Sequence, residues 1–593
     1  MKVSRLIIKN FRGIKAADLF LPDHVVLIGD NNVGKSTVFE ALDLVLGPDR
    51  LNRRPPVDEH DFFQSLYRGQ GEERPPEVHI EATITHLNSE QRNRFKDYIE
   101  WWDQNEHKLL TDPPLESVDQ DHVTHALRVA FSGSYDEEED DFMGTTYFSR
   151  SDEEGDPPQV FSKRDKQYCG FLYLRSLRTG RRALSLEHGS LLDIILRLQE
   201  IRPQMWDKTI EALAKHDVAG DLALGISGIL ESIETAIKTF VPREWGVAPR
   251  LKVSNLTREH LRSVITAFVG TGHGNHAVPF YRQGTGTINL IVLAMLSQIA
   301  KDKRNVVFAM EEPETAIPPY AQKRIVHEVV KISSQALFTS HSPYVLEEFA
   351  PEQTIVLSRG NDGVLSHAVV ELPESVKHKR YRQEFRTRFC EGLLSRRILI
   401  CEGATEASAM TAVARKLSEV DPERFSPLEA LGICIVDAGT ETQIADLAKL
   451  YRGLGKQVFA ICDKQSPTAE ATIEAEVDKL FMHGQKGFED LVLKNTTRVA
   501  MERFIDILIW PSHLAARYPH PKTDPERALS EYFKWSKGDQ GIADFLVSCT
   551  IQDVPEWIQE TCVNLKALCE PKTLDSEAPG RTESAAQEGE GLA

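Results

Sequence analysis

Hydrophobic and polar positions alternate along the first stretch, KVSRLIIKNFRGI, which predicts a strand and then a turn at Asn10 to Gly13. Ala17 to Leu21 predicts a second strand, and EVHIEATIT at Glu77 to Thr85 a strand of an antiparallel layer. Unbroken apolar runs predict buried strands at Val25 to Ile28, Tyr168 to Leu174, Asn305 to Met310 and Ala336 to Thr339. Helical periodicity fills Ser190 to about Phe240, in LLDIILRLQEIRPQMW and GISGILESIETAIKTF. YDEEEDD at Tyr135 to Asp141 and the stretch Ser151 to Pro158 are acidic turns or loops. Further on, strands alternate with helices. Arg397 to Cys401, Ile433 to Val436 and Val458 to Cys462 predict strands, with helices at about Glu406 to Leu417 and Gln443 to Leu454. Such alternation predicts a parallel sheet.

These elements predict an α/β fold: a first α/β head interrupted by a helical insertion, read as a dimerisation element, then a second parallel α/β domain. The expected division is 1–180 and 251–375 for the head, 181–250 for the insertion, 376–570 for the second domain and 571–593 for a disordered tail rich in Pro, Ser, Glu and Gly. At 593 residues and 41% apolar content, the chain suits several globular domains. No run of about 18 apolar residues predicts a membrane span. MKVSRLIIKNF is too short and too charged for a signal peptide, and the eight cysteines hold no C-x-x-C pair. A cytoplasmic protein with reduced thiols and no zinc module is therefore expected. A net charge of −19 excludes a surface uniformly coated for nucleic acid, so any such contact must be local or through metal ions.

Chemistry enters at GDNNVGKS, Gly29 to Ser36, which fits G-x-x-x-x-G-K-[ST] and directly follows the strand at Val25 to Ile28. Gly29 and Gly34 let backbone N–H groups face phosphate oxygens. Lys35 reaches the β- and γ-phosphates, and the Ser36 hydroxyl ligates Mg²⁺. Asn31, Gly34, Lys35, Ser36 and Thr37 are the expected nucleotide contacts, ahead of a helix that places its positive end under the phosphates. NVVFAM ends in Glu311-Glu312-Pro313-Glu314, and ALFT ends in Ser340-His341. Side chains at the C-terminal ends of buried strands are where open α/β sheets keep ligands. Glu311 is expected to bind Mg²⁺ through water, Glu312 to polarise the attacking water, and His341 to sense the γ-phosphate.

NFRGI, GDNNVGKS, RQGTGTINL, MEEPE and TSHSP together resemble ATP-binding-cassette ATPases, in the branch with chromosome-maintenance and recombination ATPases. That resemblance implies two heads sandwiching ATP, with Gly284 and Gly286 contacting the partner's nucleotide, although the chain lacks the usual Ser-Gly-Gly. Glu402-Gly403-Ala404-Thr405-Glu406 after one strand, and Asp463 after another, resemble a Toprim domain. There, converging carboxylates hold Mg²⁺ or Mn²⁺ and stabilise charge on a phosphodiester in transfer. The resemblance implies Glu402, Glu406 and Asp463 as metal ligands, Glu489 and Asp490 in a second ion's shell, and Lys537 stabilising the phosphorane. Toprim domains usually carry Asp-x-Asp, but this chain reads Asp463-Lys464-Gln465, so one carboxylate is missing.

An ATPase head with a helical insertion and a C-terminal Toprim domain is similar to the overcoming-lysogenization-defect (OLD) endonucleases, up to about Leu568. The resemblance implies ATP and Mg²⁺ as cofactors, Mn²⁺ as an alternative at the nuclease site, and DNA as substrate. It also implies a homodimer or higher homo-oligomer, with a role in anti-phage defence. Family members include the Gabija nuclease, which works with a UvrD-like helicase, and nucleases associated with a retron reverse transcriptase and its noncoding-DNA complex. These are the partner classes implied here. The basic stretch KHKRYRQEFRTR, with Lys377, Lys379, Arg380 and Arg382, is either a DNA backbone contact or a solvated linker. The competing reading is an ATPase-driven repair or structural clamp whose Toprim domain binds DNA without cutting it.

Overall fold

The computed structural model describes residues 1–48, 55–69, 75–110, 122–150, 158–174, 190–198, 202–215, 226–238, 257, 260–261, 265, 267–270, 277–284, 287, 291, 294–295, 298, 306–315, 318–373, 386–536 and 540–570. The chain forms two compact units, Met1–Leu394 with Gly453–Gly455, and Ser395–Arg452 with Lys456–Ala593.

The first unit is built on one large sheet. Its strands are β1 (Lys2–Phe11), β2 (Ile14–Phe20), β3 (His24–Ile28), β4 (Val78–Thr85), β5 (Ile99–Asp103), β6 (Lys108–Leu110), β7 (Val123–Asp136), β8 (Asp141–Phe148) and β9 (Phe171–Leu174). A separate hairpin, β10 (Phe268–Gly270) with β11 (Ala277–Pro279), precedes β12 (Val307–Glu311), β13 (Gln335–Thr339), β14 (Thr354–Arg359) and β15 (Val364–Val369). Among the described residues the sheet runs β6-β5-β7-β4-β1-β2-β15-β14-β3-β13-β12-β9, with β8 beside β7.

Two textures meet in this sheet. The pairings among β1, β2, β4, β5, β7 and β8 are antiparallel, whereas β14-β3-β13-β12-β9 is parallel throughout. The parallel strands are the unbroken apolar runs, because helices or loops cover both faces of such a sheet. The helix Lys35–Leu46 buries Val38, Phe39, Leu42, Val45 and Leu46 in the core shared with β1, β4 and β7, while Ser36, Thr37, Glu40 and Asp43 lie on its less buried side.

One expected strand is shorter than its apolar run suggested. Tyr168 and Cys169 end the helix Lys163–Cys169, and only Phe171–Leu174 pair with β12. Ser162 and Asp165 form a capping box at the helix start, and Gly170 closes it at φ 62°. These local signals outweigh the apolar run.

The helical stretch contributes Leu191–Leu198, Arg202–Lys215 and Ile226–Ile237. Trp206 and Leu261 are its buried centre, with Leu192, Met205 and Leu213 packed against them.

The second unit holds the all-parallel sheet β17-β16-β18-β19, formed by β16 (Arg397–Cys401), β17 (Ile433–Asp437), β18 (Gln457–Cys462) and β19 (Lys479–Met482). The helix Ala404–Val420 packs its Ala409, Met410, Val413 and Leu417 stripe into a core that includes Phe459, Phe504, Leu529, Phe545 and Ile558. All eight cysteines are free thiols. Among the described residues no helix is long and apolar enough to cross a membrane.

Candidate functional site

The parallel register of the first unit gathers three loops. β13 lies between β3 and β12, so the segments leaving all three C-terminal ends are neighbours. From β3 the chain enters the phosphate loop. Gly29 sits at φ 148°, and a Cβ there would stand 2.5 Å from the Leu357 carbonyl oxygen, so only glycine fits. Gly34 at φ 120° opens the helix Lys35–Leu46, and no side chain caps that helix. Its first N–H groups therefore suit an anion. Lys35 is 8% exposed, and its Nζ donates to the Gly29 and Asp30 carbonyls, both at 2.9 Å. Burial lowers its pKa, opposed by Glu312 and Asp30. Asn31 and Ser36 are exposed on the loop and Thr37 is partly so. A curled loop closed by its own lysine, above an uncapped helix end, fits a bound nucleotide phosphate.

Glu311 ends β12, and Tyr173 Oη of β9 donates to its Oε1 at 2.8 Å. Glu312 follows at φ 42°, a left-handed conformation uncommon outside glycine, and its N–H donates to the Thr339 carbonyl at 2.9 Å. Backbone strain of this kind concentrates at functional sites. His341 keeps access to solvent but is partly enclosed; that partial burial of its ring and then the nearby Lys35 charge lower its pKa, while Glu312 opposes them. Glu314 joins the two loops, since its Oε1 accepts the His341 N–H at 2.7 Å. Burial raises the Glu314 pKa. Arg12, in the turn after β1, pairs with Glu40 of the phosphate-loop helix and with Asp61 at 2.8 Å. Gly284 is exposed, with open space where a Cβ would be. Gly286 lies outside the described residues.

The second unit repeats the strand-end logic with carboxylates alone. Glu402 follows β16 and Asp463 follows its neighbour β18. The Asp463 N–H donates to Glu402 Oε2 at 3.2 Å. Glu406 lies in the first turn of Ala404–Val420 and is 8% exposed. Burial, and then Asp463, Glu489 and Glu402, push its carboxyl up to about 7. Burial likewise raises Glu402, with Asp463 and Glu441 adding to it. This cluster is short of positive charge. Its all-oxygen donor set suits a hard divalent cation held by Glu402, Glu406 and Asp463. Among the described residues no three His, Cys, Asp or Glu side chains meet at metal-ligand distance, so the carboxylates stand as neighbours, not as a closed shell. Glu489 lies near enough to raise Glu406. Asp490 instead pairs with Lys494 one helical turn on, at 3.2 Å. Lys537 and the basic residues Lys377, Lys379, Arg380 and Arg382 lie outside the described residues.

Four contacts of these sites were not read from sequence: Tyr173 and His483, which stand outside the motifs, the Glu314 carboxylate within MEEPE, and the Gln465 amide as a donor. His483 Nε2 stands 2.9 Å from Asp463 Oδ1, and Gln465 Nε2 donates to Glu402 Oε2 at 3.2 Å. His483 directly follows β19. The rule that singles out Asp463, a polar residue at the end of a buried strand, would have found it.

A phosphate loop facing a paired-glutamate strand end, followed in sequence by a carboxylate-lined parallel sheet, defines an ATPase joined to a Toprim unit. Residues 25–347 match the family described as "AAA domain, putative AbiEii toxin, Type IV TA system", and residues 393–464 match the Toprim domain of proteins like the overcoming lysogenization defect protein. The chain belongs to the first of these families, whose model spans more than half of it, and carries an OLD-like Toprim domain after it. It is 24% identical over 507 residues to the OLD nuclease of Thermus scotoductus, covering 78% of this chain and 82% of that one. It is 21% identical over 202 residues to the Old nuclease of Escherichia phage P2, covering 31% and 33% respectively. The solved C-terminal region of the Burkholderia pseudomallei OLD protein matches at 15% identity and TM-score 0.24, over 30% of this chain and 99% of that one.

Proposed function

We propose that this chain is a divalent-metal-dependent DNA endonuclease whose cutting is coupled to ATP binding and hydrolysis in its head. The observation that carries the proposal is the pairing of Glu402 and Asp463 on adjacent parallel strand ends, with Glu406 beside them and raised to about 7. Clustered, half-desolvated carboxylates are costly unless a cation answers them, and a divalent ion there stabilises charge on a phosphodiester. Mg²⁺ is the expected ion, with Mn²⁺ the tighter binder. In the head, Lys35 and Ser36 hold the nucleotide, Glu311 serves its Mg²⁺ and Glu312 orients water. Lys537 is assigned to the phosphorane, and Gly284 and Gly286 to the nucleotide of a second head.

Assembly into at least a homodimer is part of the proposal. Ile229 and Ile233 lie one turn apart on Ile226–Ile237 and are 61% and 43% exposed, an apolar stripe that a second chain would cover. A defence role against phage, with a helicase or a retron complex as partner, rests on family analogy alone. The non-cutting clamp is favoured by one observation, the neutral Gln465 among the carboxylates.

Plasmid nicking with Mg²⁺ or Mn²⁺ tests the proposal. The wild-type chain should cut, more with Mn²⁺, and Glu402→Ala and Asp463→Ala should each stop cutting while ATP hydrolysis continues. Wild-type cutting by Asp463→Ala would hand the function to the clamp reading.

A further inference from the structure

We infer that His483 is a metal ligand of the carboxylate centre, giving its Nε2 to the same divalent ion as Asp463 Oδ1 and biasing the centre toward Mn²⁺ over Mg²⁺. This role rests on the metal-dependent reading above and deepens it. The register of β18 with β19 pairs Cys462 with Met482, which sets the next residues, Asp463 and His483, side by side. His483 Nε2 then stands 2.9 Å from Asp463 Oδ1, and the two side chains are 1% and 17% exposed. At that distance a hydrogen bond is expected, yet the two atoms do not form one. Among the described residues, Asp463 Oδ1, His483 Nε2 and His483 Nδ1 are all buried without a hydrogen-bond partner. Buried polar atoms without partners are costly, and three of them in one pair point to a group that answers them.

The spacing suits a shared ion. Two donors about 2.1 Å from one ion, at right angles to each other, lie about 3 Å apart. Such donors aim at the ion and not at each other, so they are close without being hydrogen-bonded. The ring is held by packing: Trp557 meets it edge-on with centroids 5.2 Å apart, and Phe488 lies at 6.1 Å. Neither aromatic wall offers an acceptor that would compete for Nε2. With its proton on Nδ1, the neutral ring keeps the Nε2 lone pair for a cation. Glu402 and Glu406 supply oxygens beside Asp463. Glu489 opens the helix Phe488–Lys494 that follows His483, is close enough to be felt at Glu406, and adds an anionic oxygen on that side. Imidazole nitrogen suits transition ions, whereas Mg²⁺ prefers carboxylates and water. One nitrogen among these oxygens therefore tilts the centre toward Mn²⁺.

The test is pulsed electron paramagnetic resonance on the nucleotide-free full chain loaded with Mn²⁺, with and without isotopically labelled histidine. Ser36→Ala serves as the baseline for any ion at the phosphate loop. A histidine nitrogen coupled directly to Mn²⁺ is expected in the wild type and in Ser36→Ala. His483→Gln keeps a side-chain oxygen donor and should lose that coupling. In a binding titration it should weaken Mn²⁺ at least about tenfold, since even an outer-shell partner is worth that much, and weaken Mg²⁺ less. Mn²⁺ bound in the wild type without histidine coupling would leave His483 a hydrogen-bonding neighbour of Asp463 and overturn the inference. Coupling that survives in His483→Gln would do the same. An equal loss for both ions would overturn the bias toward Mn²⁺. No bound Mn²⁺ in the wild type would overturn the metal-dependent reading itself, a distinct result. The wild-type spectrum needs no variant, so the role of His483 stays testable should His483→Gln fail to fold.

Discussion

Replacing Glu406 by Gln should make the metal-free chain more stable at pH 8, although Glu406 belongs to the proposed catalytic centre. Glu406 is 8% exposed, and burial, then Asp463, Glu489 and Glu402, raise its carboxyl from an ordinary 4.5 to about 7. The folded chain thus holds this proton to higher pH than the unfolded chain does. The stability it contributes is complete below about 4.5, declines as pH rises and is gone above about 7. At about 1.36 kcal/mol per pH unit, the rise amounts to about 3 kcal/mol against the folded state at pH 8, and about 1 kcal/mol at pH 5. Gln keeps the shape and removes the charge. Urea denaturation in EDTA, followed by circular dichroism, should show Glu406→Gln gaining about 3 kcal/mol at pH 8 and about 1 kcal/mol at pH 5. Added Mn²⁺ should stabilise the wild type and leave the variant nearly unmoved. If Glu406→Gln is no more stable than wild type at pH 8 in EDTA, the cluster is not electrostatically strained and the argument for a cation there loses its basis.

Other expectations bear on the head and on the second unit. Lys35→Ala should lose ATP binding at micromolar concentrations in a fluorescent-nucleotide titration, because the buried ammonium is the loop's principal cation. Glu312→Gln should bind ATP with unchanged affinity and hydrolyse it at least about a hundredfold more slowly in a phosphate-release assay; full activity would move the water-orienting role elsewhere. Asp553 provides an acid-side prediction. Burial pushes its carboxyl up, but the Thr497 and Thr550 hydroxyls and the Arg503 guanidinium outweigh it and hold the group at about 2. Its contribution is present above an ordinary 3.8 and lost as pH falls through about 2. Asp553→Asn should therefore cost about 2 kcal/mol at neutral pH and nothing near pH 2, as read by denaturation at the two pH values.

Much of the molecule was legible because it is written locally. The phosphate loop is a fixed spacing of Gly, Lys and Ser between a strand and a helix, and Gly29 and Gly34 take up the positive φ values that spacing demands. Apolar runs marked the parallel strands, and the polar residue ending each run marked Glu311, Asp463 and Glu402. Local signals also explain the one shortened strand, since Ser162, Asp165 and Gly170 cap a helix through Cys169.

What the sequence alone determined, then, is whatever a window of a dozen residues can encode: strand, helix, cap, phosphate loop and the carboxylates at strand ends. Tertiary structure decided which strand ends are neighbours. Tyr173 reaches Glu311 across 138 positions of sequence only because β9 lies beside β12. Glu314 meets His341 only because β13 flanks β12. Gln465 read from sequence as a weak neutral oxygen ligand. The fold turns it into an N–H donor, because Glu402 and the Asp463 carbonyl together offer two acceptors on one side of its amide. An amide can present either end, and only neighbours brought from distant parts of the chain choose which.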